Sequence, residues 1–408
     1  MATEVNPQPG ADLKPIEFQA VLDLTIAINQ NKPELGLFAI LENYLLEKLG
    51  ISHFSLFYKN ETWQNGYTYG KSVNQLHQIA DLGNQLQVST LAEAHGDLAA
   101  HNDHIRYVIP FFYDRQLKGL VFCSPVSLFS FPFDAEAIAL IQTLLGLMVM
   151  ALENQRLLLY RLQQEALRKE IEIARQVQQM LFPKELPDTA HLKIYRTYLP
   201  HMDVSGDYYD YIELGPHQFA LCVADVSGKG ISAALLMSNF QACIRTLMMQ
   251  RKPLEDLVHA VNSLLCQNSN LERFITAFIG IIDLETRTFT YVNAGHTPPC
   301  LVYNDGRCLT LNSGTTILGV FPKLPHFNIG TAPLEGNVLF AGYTDGLSEI
   351  ESPENEEFGS ERLEQYFVEN RSEKPAILHQ RLLNRLEFFA ANQGFKDDIT
   401  LITAEITA

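Results

Sequence analysis

The sequence predicts an α+β protein with two domains and a long helix between them. The first part of the chain mixes helical and strand patterns, the middle contains thirty residues without glycine or proline, and the last part is rich in short strands. A chain of 408 residues is long enough to bury two or three cores. We place a flexible terminus at 1–15, the first domain at 16–152, the linker helix at 153–183 and the second domain at 184–408.

The first domain has an α/β pattern. Apolar residues recur at helical spacing or alternate as in strands. The helical segments are 16–29 and 33–50, and the strand segments are 51–59 and 106–124. Within the last segment, Asp114 and Arg115 predict a tight turn between two strands.

The sequence of the linker predicts one helix, which ends at Pro183. Residues at 3-4 spacing form a seam that would allow the helix to pair with a second copy of itself. The seam contains Met150, Leu157, Tyr160, Gln164, Leu167, Ile171, Ala174, Gln178 and Leu181. Glutamines make the seam imperfect, and because only about four heptads support the pairing, a solvated helix packed on one domain is an equally weighted alternative.

The second domain predicts two sheets with helices outside them, because runs of short strands are separated by helical segments. The strand segments are 218–227, 274–295, 299–311, 337–346 and 398–406. The helical segments are 231–249, 253–267, 360–368 and 375–392.

Composition excludes several classes of protein. The net charge of −17 argues against binding to nucleic acid or to an anionic membrane surface. The six scattered cysteines favour reduced thiols in the cytoplasm over disulfides or a zinc site, and no signal peptide is apparent. The apolar segment 138–152 is shorter than the roughly 20 residues that span a bilayer. We therefore expect it to be a buried helix in a cytoplasmic protein.

The stretch LCVADVSGKGISAAL, residues 221–235, joins an apolar strand to a helix through two glycines around a lysine. A nucleotide P-loop needs a glycine five residues before its Gly-Lys pair and a Ser or Thr after the lysine. Val223 and Gly230 occupy these positions. The loop therefore does not fit a nucleotide site, and Asp225 at the strand end remains a candidate for other chemistry.

Acidic residues stand at several strand ends or turns of this domain, namely Asp207, Asp225, Asp345 and the pair Asp397 and Asp398. Each alone is explained by a turn or a cap. Together they can face one cleft, where buried carboxylates without a cation are very costly. Oxygen ligands favour Mg²⁺ or Mn²⁺, and two such ions about 3.5–4 Å apart suit phosphate-ester hydrolysis.

The order of several motifs resembles the bacterial SpoIIE-type phosphatases, the RsbU-like branch of the PPM (type 2C) serine/threonine protein phosphatases. The motifs are QVQQMLFP, VSGDYYDY, ADVSGKGISAAL, FITAFIGIIDLETRTFTYVNAGHTPP, TTILGV, DGLSEIESPENEEFG and DDITLIT. The resemblance covers residues 170–408. It implies a helix-flanked PPM-type β-sandwich, two divalent cations, either Mn²⁺ or Mg²⁺, and a phosphorylated regulatory protein as substrate. In the family this substrate is often an anti-anti-sigma factor of the STAS fold.

The resemblance also implies roles for individual residues. Asp225 would bridge both metals, and the backbone carbonyl of Val226 would join one of them. Asp207 would serve the second metal directly or through water, while Asp345 and Asp397 would hold the first. The four aspartates would thus be the catalytic set, and a metal-bound hydroxide would attack phosphorus in line.

Four neighbouring residues are not expected to bind the metals. Asp398, where many relatives have asparagine, would support the site from outside. Ser227 stands where many type 2C enzymes have a proton-donating histidine, so the general acid is unassigned. We expect Lys229 to be solvated rather than bound to phosphate, and His296 to be a structural loop residue. We find no counterpart of the phosphate-binding arginine of many relatives.

The first domain resembles a GAF sensor domain, on residues 106–124 and 133–155. The resemblance implies a pocket for an unknown small molecule and a homodimer formed through this domain and the linker helix. A bilin is not expected, because Cys123 lies in an apolar strand. We expect the GAF domain to change the pairing or rotation of the linker and so to shift the backbone at Val226.

Three histidines in the first domain suggest a metal, but Asn, Asp and Gly surround them and predict a solvated loop. They are His95, His101 and His104. Two other functions stay open for the whole chain. One is an inactive phosphatase fold that binds a partner, and the other is a GAF-based light or nucleotide receptor. The set of aspartates favours the enzyme.

Overall fold

The computed structural model describes residues 13–59, 63–70, 92–93, 107–113, 116–125, 135–269, 272–391 and 393–407. The chain forms two compact units, Met1–Glu165 and Ala166–Ala408. Their division falls inside the predicted linker. The predicted terminus up to residue 12, the turn at Asp114 and Arg115, and the three histidines lie outside the described residues.

The first unit contains a five-stranded antiparallel sheet in the order β2-β1-β5-β4-β3. Its strands are β1 Ile51–Lys59, β2 Trp63–Tyr69, β3 Ala92–Glu93, β4 Tyr107–Tyr113 and β5 Gln116–Pro125. Two helices precede the sheet, α1 Leu13–Asn29 and α2 Glu34–Asn43, and α2 continues into a π-helical turn, Tyr44–Lys48. Cys123 is fully buried in β5, and burial raises the pKa of its thiol to about 12.

The helix α3, Ala135–Gln179, is longer than the sequence predicts, because the apolar segment 138–152 and the linker form one continuous helix. Leu140, Ile141 and Leu144 are buried in the core of the first unit, as expected for a core helix. Among the described helices, α3 alone also has the length and hydropathy to cross a bilayer, with mean hydropathy 1.7 over its most apolar 18-residue window. Of that window, 39% is buried inside the protein.

The second unit contains two sheets. One has the order β13-β10-β9-β8-β7 with β14 on β10, and the other has the order β12-β11-β15-β16-β6. Strands of the first are β7 Tyr208–Gly215, β8 Gln218–Val226, β9 Ile275–Asp283, β10 Thr288–Ala294, β13 Gly314–Thr315 and β14 Gly330–Pro333. Strands of the second are β6 Leu192–Leu199, β11 Cys300–Tyr303, β12 Cys308–Thr310, β15 Asn337–Tyr343 and β16 Ile399–Thr407.

The two sheets pack face to face. Phe278 of β9 and Phe289 of β10 contact Phe340 of β15, with ring centroids 5.6 and 5.5 Å away. Helices cover the outer faces: α4 Ile231–Met249 and α5 Leu254–Ser269 on the first sheet, and α7 Ser360–Asn370 and α8 Pro375–Phe389 on the second. The predicted α+β fold with a helix-flanked sandwich is confirmed. All six cysteines are free, as predicted.

An ion pair between a buried aspartate and a partly exposed arginine fixes α4 on β7. Asp210 of β7 is completely buried, and Arg245 of α4 donates to its two carboxylate oxygens at 2.8 and 2.6 Å. Tyr208 and the backbone of Tyr211 also donate to Asp210. Because Asp210 lies three residues after Asp207, this pair fixes the strand that the candidate site depends on.

Candidate metal centre

The predicted aspartates stand where strands of both sheets begin or end. Asp207 immediately precedes β7 and Asp225 is the penultimate residue of β8, in the first sheet. Asp345 opens the short helix α6, Asp345–Ser348, two residues after β15, and Asp397 lies two residues before β16. Since the sheets face each other, these strand ends meet at one edge of the sandwich.

Asp207 is held by hydroxyl groups from the opposite sheet. Its side chain is buried, with 2% of the residue exposed. Thr344 and Thr400 donate to its Oδ2 at 2.8 and 2.6 Å. Burial, followed by the nearby charge of Asp225, raises the pKa of Asp207 well above its ordinary value. The two hydroxyls thus fix a carboxylate whose charge is expensive to keep.

The carboxylates of Asp225, Asp345 and Asp397 repel one another. Burial and then the charges of Asp345 and Asp397 raise the pKa of Asp225 to about 7. Burial and then Asp397 raise the pKa of Asp345. A divalent cation among these groups would relieve both the repulsion and the cost of burial.

The carbonyl of Val226 lies beside the same carboxylate. A Cβ placed on Gly206 would meet the Val226 carbonyl oxygen at 2.8 Å and the Asp225 Oδ1 at 3.5 Å. Only a glycine therefore allows residue 206 to approach these two oxygens so closely. The Val226 carbonyl and the Asp225 carboxylate, both predicted metal ligands, thus lie beside the backbone at Gly206.

Lys229 forms an ion pair with a predicted ligand. Its Nζ donates to Asp397 Oδ2 at 2.9 Å, and both side chains are 47% exposed. The hydrogen bond to Asp397 is the main cause that raises the pKa of Lys229. The sequence prediction of a solvated lysine is thus incomplete, because this half-exposed ammonium already neutralises one carboxylate of the cluster.

Asp398 ties down the loop that leads to Asp207. Its Oδ1 accepts from the backbone N–H of His201 at 2.7 Å, and its Oδ2 accepts from Ser205 Oγ at 2.7 Å and from Gly206 N at 3.3 Å. Ser205 Oγ in turn accepts from the Asp207 N–H at 3.0 Å. This arrangement agrees with a supporting role outside the metals.

Gln178 is a site residue that sequence reasoning missed. Its Nε2 donates to the carbonyl of Ser205 at 2.7 Å, and its Oε1 accepts from the Ser205 N–H at 3.2 Å. The side chain is buried, at 6% exposure. The assignment of Gln178 to a helix-pairing seam is therefore wrong, since it faces the core of its own unit. Its place in the QVQQMLFP motif was the available signal.

Arg273 is a second missed residue. Its Nη1 donates to the carbonyl of Ser227 at 3.0 Å, while Ser227 Oγ accepts from the Phe274 N–H at 2.9 Å. Arg273 also packs against Gly228, where an added Cβ would come within 2.0 Å of Nη1. A guanidinium therefore supports the turn that follows Asp225. Arg273 lies 46 residues after Ser227, so no local sequence pattern indicates this contact.

His296 is buried in a polar network, as its structural interpretation predicts. Its Nδ1 lies 2.9 Å from Thr276 Oγ1, and its backbone exchanges two hydrogen bonds with the Asn293 amide. Burial lowers the pKa of His296 to about 4. A neutral, buried imidazole of this kind is not a proton donor near neutral pH.

The donor set fits hard divalent cations. Four carboxylates and one carbonyl supply only oxygen atoms, which suit Mg²⁺ and Mn²⁺. Throughout the described ranges, no three His, Cys, Asp or Glu side chains lie close enough to hold an ion as they stand. The charges of Asp345 and Asp397 raise the pKa of Asp225, and a divalent cation between these carboxylates would offset that repulsion.

A helix-flanked pair of sheets with aspartates at one edge defines the PPM (type 2C) class of phosphatase domains. Residues 215–407 match the family model described as "Stage II sporulation protein E (SpoIIE)". This part of the chain belongs to the SpoIIE family. The match includes three of the four predicted catalytic aspartates and begins eight residues after Asp207.

Individual relatives agree with this assignment. "Protein IcfG" of Synechocystis sp. is 29% identical over 265 residues, 58% of this chain and 41% of that protein. "Phosphoserine phosphatase RsbU" of Bacillus subtilis is 27% identical over 247 residues, 59% of this chain and 70% of RsbU. The solved "SiaA-PP2C domain of Pseudomonas aeruginosa" has the same fold, with a TM-score of 0.53 and 19% identity over 60% of this chain and 98% of that domain. The chain thus spans only about two fifths of IcfG.

Proposed function

We propose that the second unit hydrolyses phosphoserine or phosphothreonine on a regulatory protein in the cytoplasm. The observation that carries the proposal is the cluster of Asp207, Asp225, Asp345 and Asp397 at adjoining strand ends. The name of RsbU, a phosphoserine phosphatase, supports the same chemistry. Six free cysteines favour the cytoplasm.

The aspartates and the Val226 carbonyl would hold two divalent cations, either Mn²⁺ or Mg²⁺. When bound, these ions supply an activated water and stabilise negative charge on the phosphate oxygens. The chain's own residues fix the donors. Thr344 and Thr400 orient Asp207 through its Oδ2, and Arg273 holds the carbonyl of Ser227 beside Asp225.

The proton for the leaving oxygen comes from water in this proposal. His296 is buried and neutral, with its pKa lowered to about 4. His296 therefore does not support a role as general acid. Ser227 Oγ accepts from the N–H of Phe274, so the loss of this hydroxyl should affect the structure of the turn after Asp225.

A direct assay tests the proposal. The full chain should hydrolyse p-nitrophenyl phosphate and a phosphoserine peptide when Mn²⁺ or Mg²⁺ is added, and EDTA should abolish both reactions. Asp225→Asn should lower the rate by at least about 100-fold, because one bridging charge is lost. Asp305→Asn, which changes an exposed turn carboxylate paired with Arg307, is the matched control. Hydrolysis that persists in EDTA or in Asp225→Asn would refute the proposal.

The natural substrate proposed is a phosphorylated STAS-type protein of a partner-switching pathway. RsbU, named as a phosphoserine phosphatase, supports phosphoserine as the group that is hydrolysed, and the STAS fold of the substrate rests on the family resemblance. Incubation of the chain with a cell extract, followed by phosphoproteomics, identifies the substrate. A single STAS-type phosphoprotein should lose phosphate with the wild-type chain and keep it with Asp225→Asn. Loss of phosphate from unrelated proteins alone would contradict this choice.

The first unit is proposed to be a GAF-type sensor. A cavity of about 280 Å³ within it is lined by Phe38, Leu56, Tyr58, Leu152 and Arg156, among others. Its size and mainly apolar walls suit a small molecule. The exposed apolar residues of α3, including Leu157 and Leu162 at 53% exposure each, favour a homodimer through this helix.

Control of the phosphatase by the first unit would pass along α3. Gln178 connects this helix to Ser205, two residues before Asp207. We expect deletion of residues 1–150 to change the rate and to convert a dimer into a monomer, as measured by light scattering. If the truncated protein had the same rate and the same number of chains per particle as the full chain, this control would be contradicted.

A further inference from the structure

We propose that a basic, aromatic cleft in the second unit binds a small phosphate-bearing molecule. The cleft has a volume of about 380 Å³ and lies where the end of α3 meets β6 and β7. Arg175, Lys184 and Arg196 line it together with aromatic rings. A volume of this size is at the lower end of the range for small-molecule sites, roughly 300–1,000 Å³.

The charge of the cleft favours an anion. Its lining contains three cations and no carboxylate, although the whole chain has a net charge of −17. Arg245, Arg307, Arg362 and Arg381 all form ion pairs. Across the residues that the structure describes, Arg175, Lys184 and Arg196 form none. Cations that gather in a concave site without partners favour phosphate, which arginine binds through two parallel N–H bonds.

The aromatic wall fixes one of these cations in place. The guanidinium carbon of Arg196 lies 5.3 Å from the ring centroid of Tyr209. The Phe182 ring lies against Tyr209 and Tyr198, with centroids 4.9 and 4.8 Å away. Tyr209 is completely buried, and within the described residues its hydroxyl has no hydrogen-bond partner. A guanidinium held on a rigid ring loses little freedom when it binds phosphate.

The cleft is separate from the metal centre. None of Asp207, Asp225, Asp345 or Asp397 lines it. Its residues come from the end of α3, the segment up to β6, and the strands β6 and β7. The proposal therefore does not depend on the phosphatase activity, and a ligand can be measured here after all divalent cations have been removed.

Titration calorimetry on the full chain in EDTA tests the proposal, with inorganic pyrophosphate and ATP as probes. At least one probe should bind, with an affinity that falls as salt is added. Arg175→Gln and Arg196→Gln should each weaken binding by at least about tenfold, since each removes a charge-assisted bond. Lys193→Gln, an exposed lysine on β6 outside the cleft, and Asp225→Asn should bind as the wild type does.

The two probes distinguish two sources of phosphate. Equal affinity for pyrophosphate and ATP identifies the phosphate groups alone as the ligand. Tighter binding of ATP that Tyr198→Leu removes identifies a nucleoside phosphate stacked on the aromatic wall. Arg196→Lys keeps the positive charge but lacks the planar guanidinium, so it should bind the probe with intermediate affinity. This result would show that the weaker binding of Arg196→Gln is not due to misfolding.

Binding of neither probe at millimolar concentration would overturn the proposal, as would wild-type affinity in both arginine variants. Binding that Asp225→Asn abolishes would place the anion at the metal centre and would overturn it equally. If an acidic protein bound the cleft while both probes failed, the site would be a protein interface and the small-molecule proposal would be wrong.

Discussion

Gln178 and Ser205 are joined by two hydrogen bonds, one to the carbonyl and one to the N–H of the serine, at 2.7 and 3.2 Å. The glutamine belongs to α3, and the serine lies two residues before Asp207. The Ser205 hydroxyl also donates to Asp398. The end of the helix is therefore tied directly to the loop that carries a predicted ligand.

Replacement of this glutamine should loosen the site. Gln178→Ala leaves two buried backbone groups of Ser205 without partners, which costs roughly 1–3 kcal/mol of stability. We expect about a tenfold increase in the Mn²⁺ concentration needed for half-maximal hydrolysis, as for other groups that orient metal ligands. Gln176→Ala is the control, since Gln176 is exposed on the same helix and bonds only to Glu172 within the described residues. An unchanged metal requirement in Gln178→Ala would refute the link.

The hydroxyls on Asp207 should set the pH dependence of the reaction. Burial and the charge of Asp225 raise the pKa of Asp207. The hydrogen bonds from Thr400 and Thr344 lower it. Thr400→Val removes one of these bonds, so the carboxylate keeps its proton to a higher pH. The acidic limb of the pH–rate profile should move to higher pH, and metal affinity should fall about 10–100-fold. Thr407→Val at the exposed end of β16 should leave the profile unchanged, and the same result in Thr400→Val would contradict the role of this bond.

Gly228 should tolerate no side chain, for two separable reasons. Its φ of +94° is unfavourable for other residues, and a Cβ would lie 2.0 Å from Arg273 Nη1. Gly306 has a similar φ of +89°, with nothing within 4 Å of its Cβ position. Gly306→Ala should therefore lose only the roughly 1–3 kcal/mol of a strained backbone. Gly228→Ala should lose this and should also displace the Arg273 guanidinium from the Ser227 carbonyl, two residues after Asp225, which should lower the rate by up to about 100-fold.

Unfolding in urea and the rate with p-nitrophenyl phosphate measure the two effects. The double variant Gly228→Ala, Arg273→Ala removes the collision and keeps the strain. Because it also loses the Arg273 bond to the Ser227 carbonyl, it is compared with Arg273→Ala alone and should be less stable than that variant only by the backbone strain. If Gly228→Ala and Gly306→Ala behaved alike in both measurements, the contact with Arg273 would have no effect on the turn.

The pair of buried Asp210 and Arg245 should contribute to stability. Asp210→Ala leaves Tyr208 and Arg245 without their acceptor, and because the Arg245 side chain is 39% exposed and partly solvated, the cost should be roughly 1–3 kcal/mol. The carboxylate of Asp305 pairs with Arg307 on the surface, so Asp305→Ala should leave the urea midpoint unchanged. Equal midpoints for the two variants would show that this pair contributes little.

The sequence was sufficient to predict the sandwich, because strands and turns leave local signals, whereas the metal-binding roles of the aspartates rest on the family resemblance and stay a prediction. Short strands alternate with turn residues, and Asp225, Asp345 and Asp397 stand at strand ends where a turn motif marks them. The sequence did not predict contacts between distant segments. Arg245 lies 35 residues from Asp210, and Thr400 lies 193 residues from Asp207. Such pairs depend on how the sheets pack, which no periodicity records.

Gln178 shows a second limit of the sequence. Periodicity places it on one side of α3 with apolar residues, and this pattern does not distinguish a side that faces another helix from one that faces the adjoining domain. The packing decides between them: Gln178 is buried at 6% exposure, whereas Leu157 on the same seam is 53% exposed. A single helix thus carries two kinds of seam residue, and only the first part has the exposure that pairing requires.

His379 should make the second unit less stable in acid. It is buried between Thr197 and Thr403, with its ring nitrogens 2.8 and 2.9 Å from their hydroxyls, and burial lowers its pKa to about 3. His379 binds a proton at about pH 6.5 in the unfolded chain, but only at about pH 3 in the folded chain. The stabilising effect of the neutral ring is therefore complete above pH 6.5 and is lost as the pH falls toward 3, by up to about 4–5 kcal/mol.

Urea unfolding of the wild type and of His379→Gln between pH 7 and 4 measures this effect. The free energy of unfolding of the wild type should fall more steeply with acid than that of the variant, because glutamine does not titrate. His191→Gln is the control, since His191 is an exposed histidine of the same unit. His296 is also buried with a lowered pKa, so part of the slope should persist in His379→Gln. Parallel slopes for the wild type and His379→Gln would show that folding does not change the pKa of His379 and would contradict the prediction.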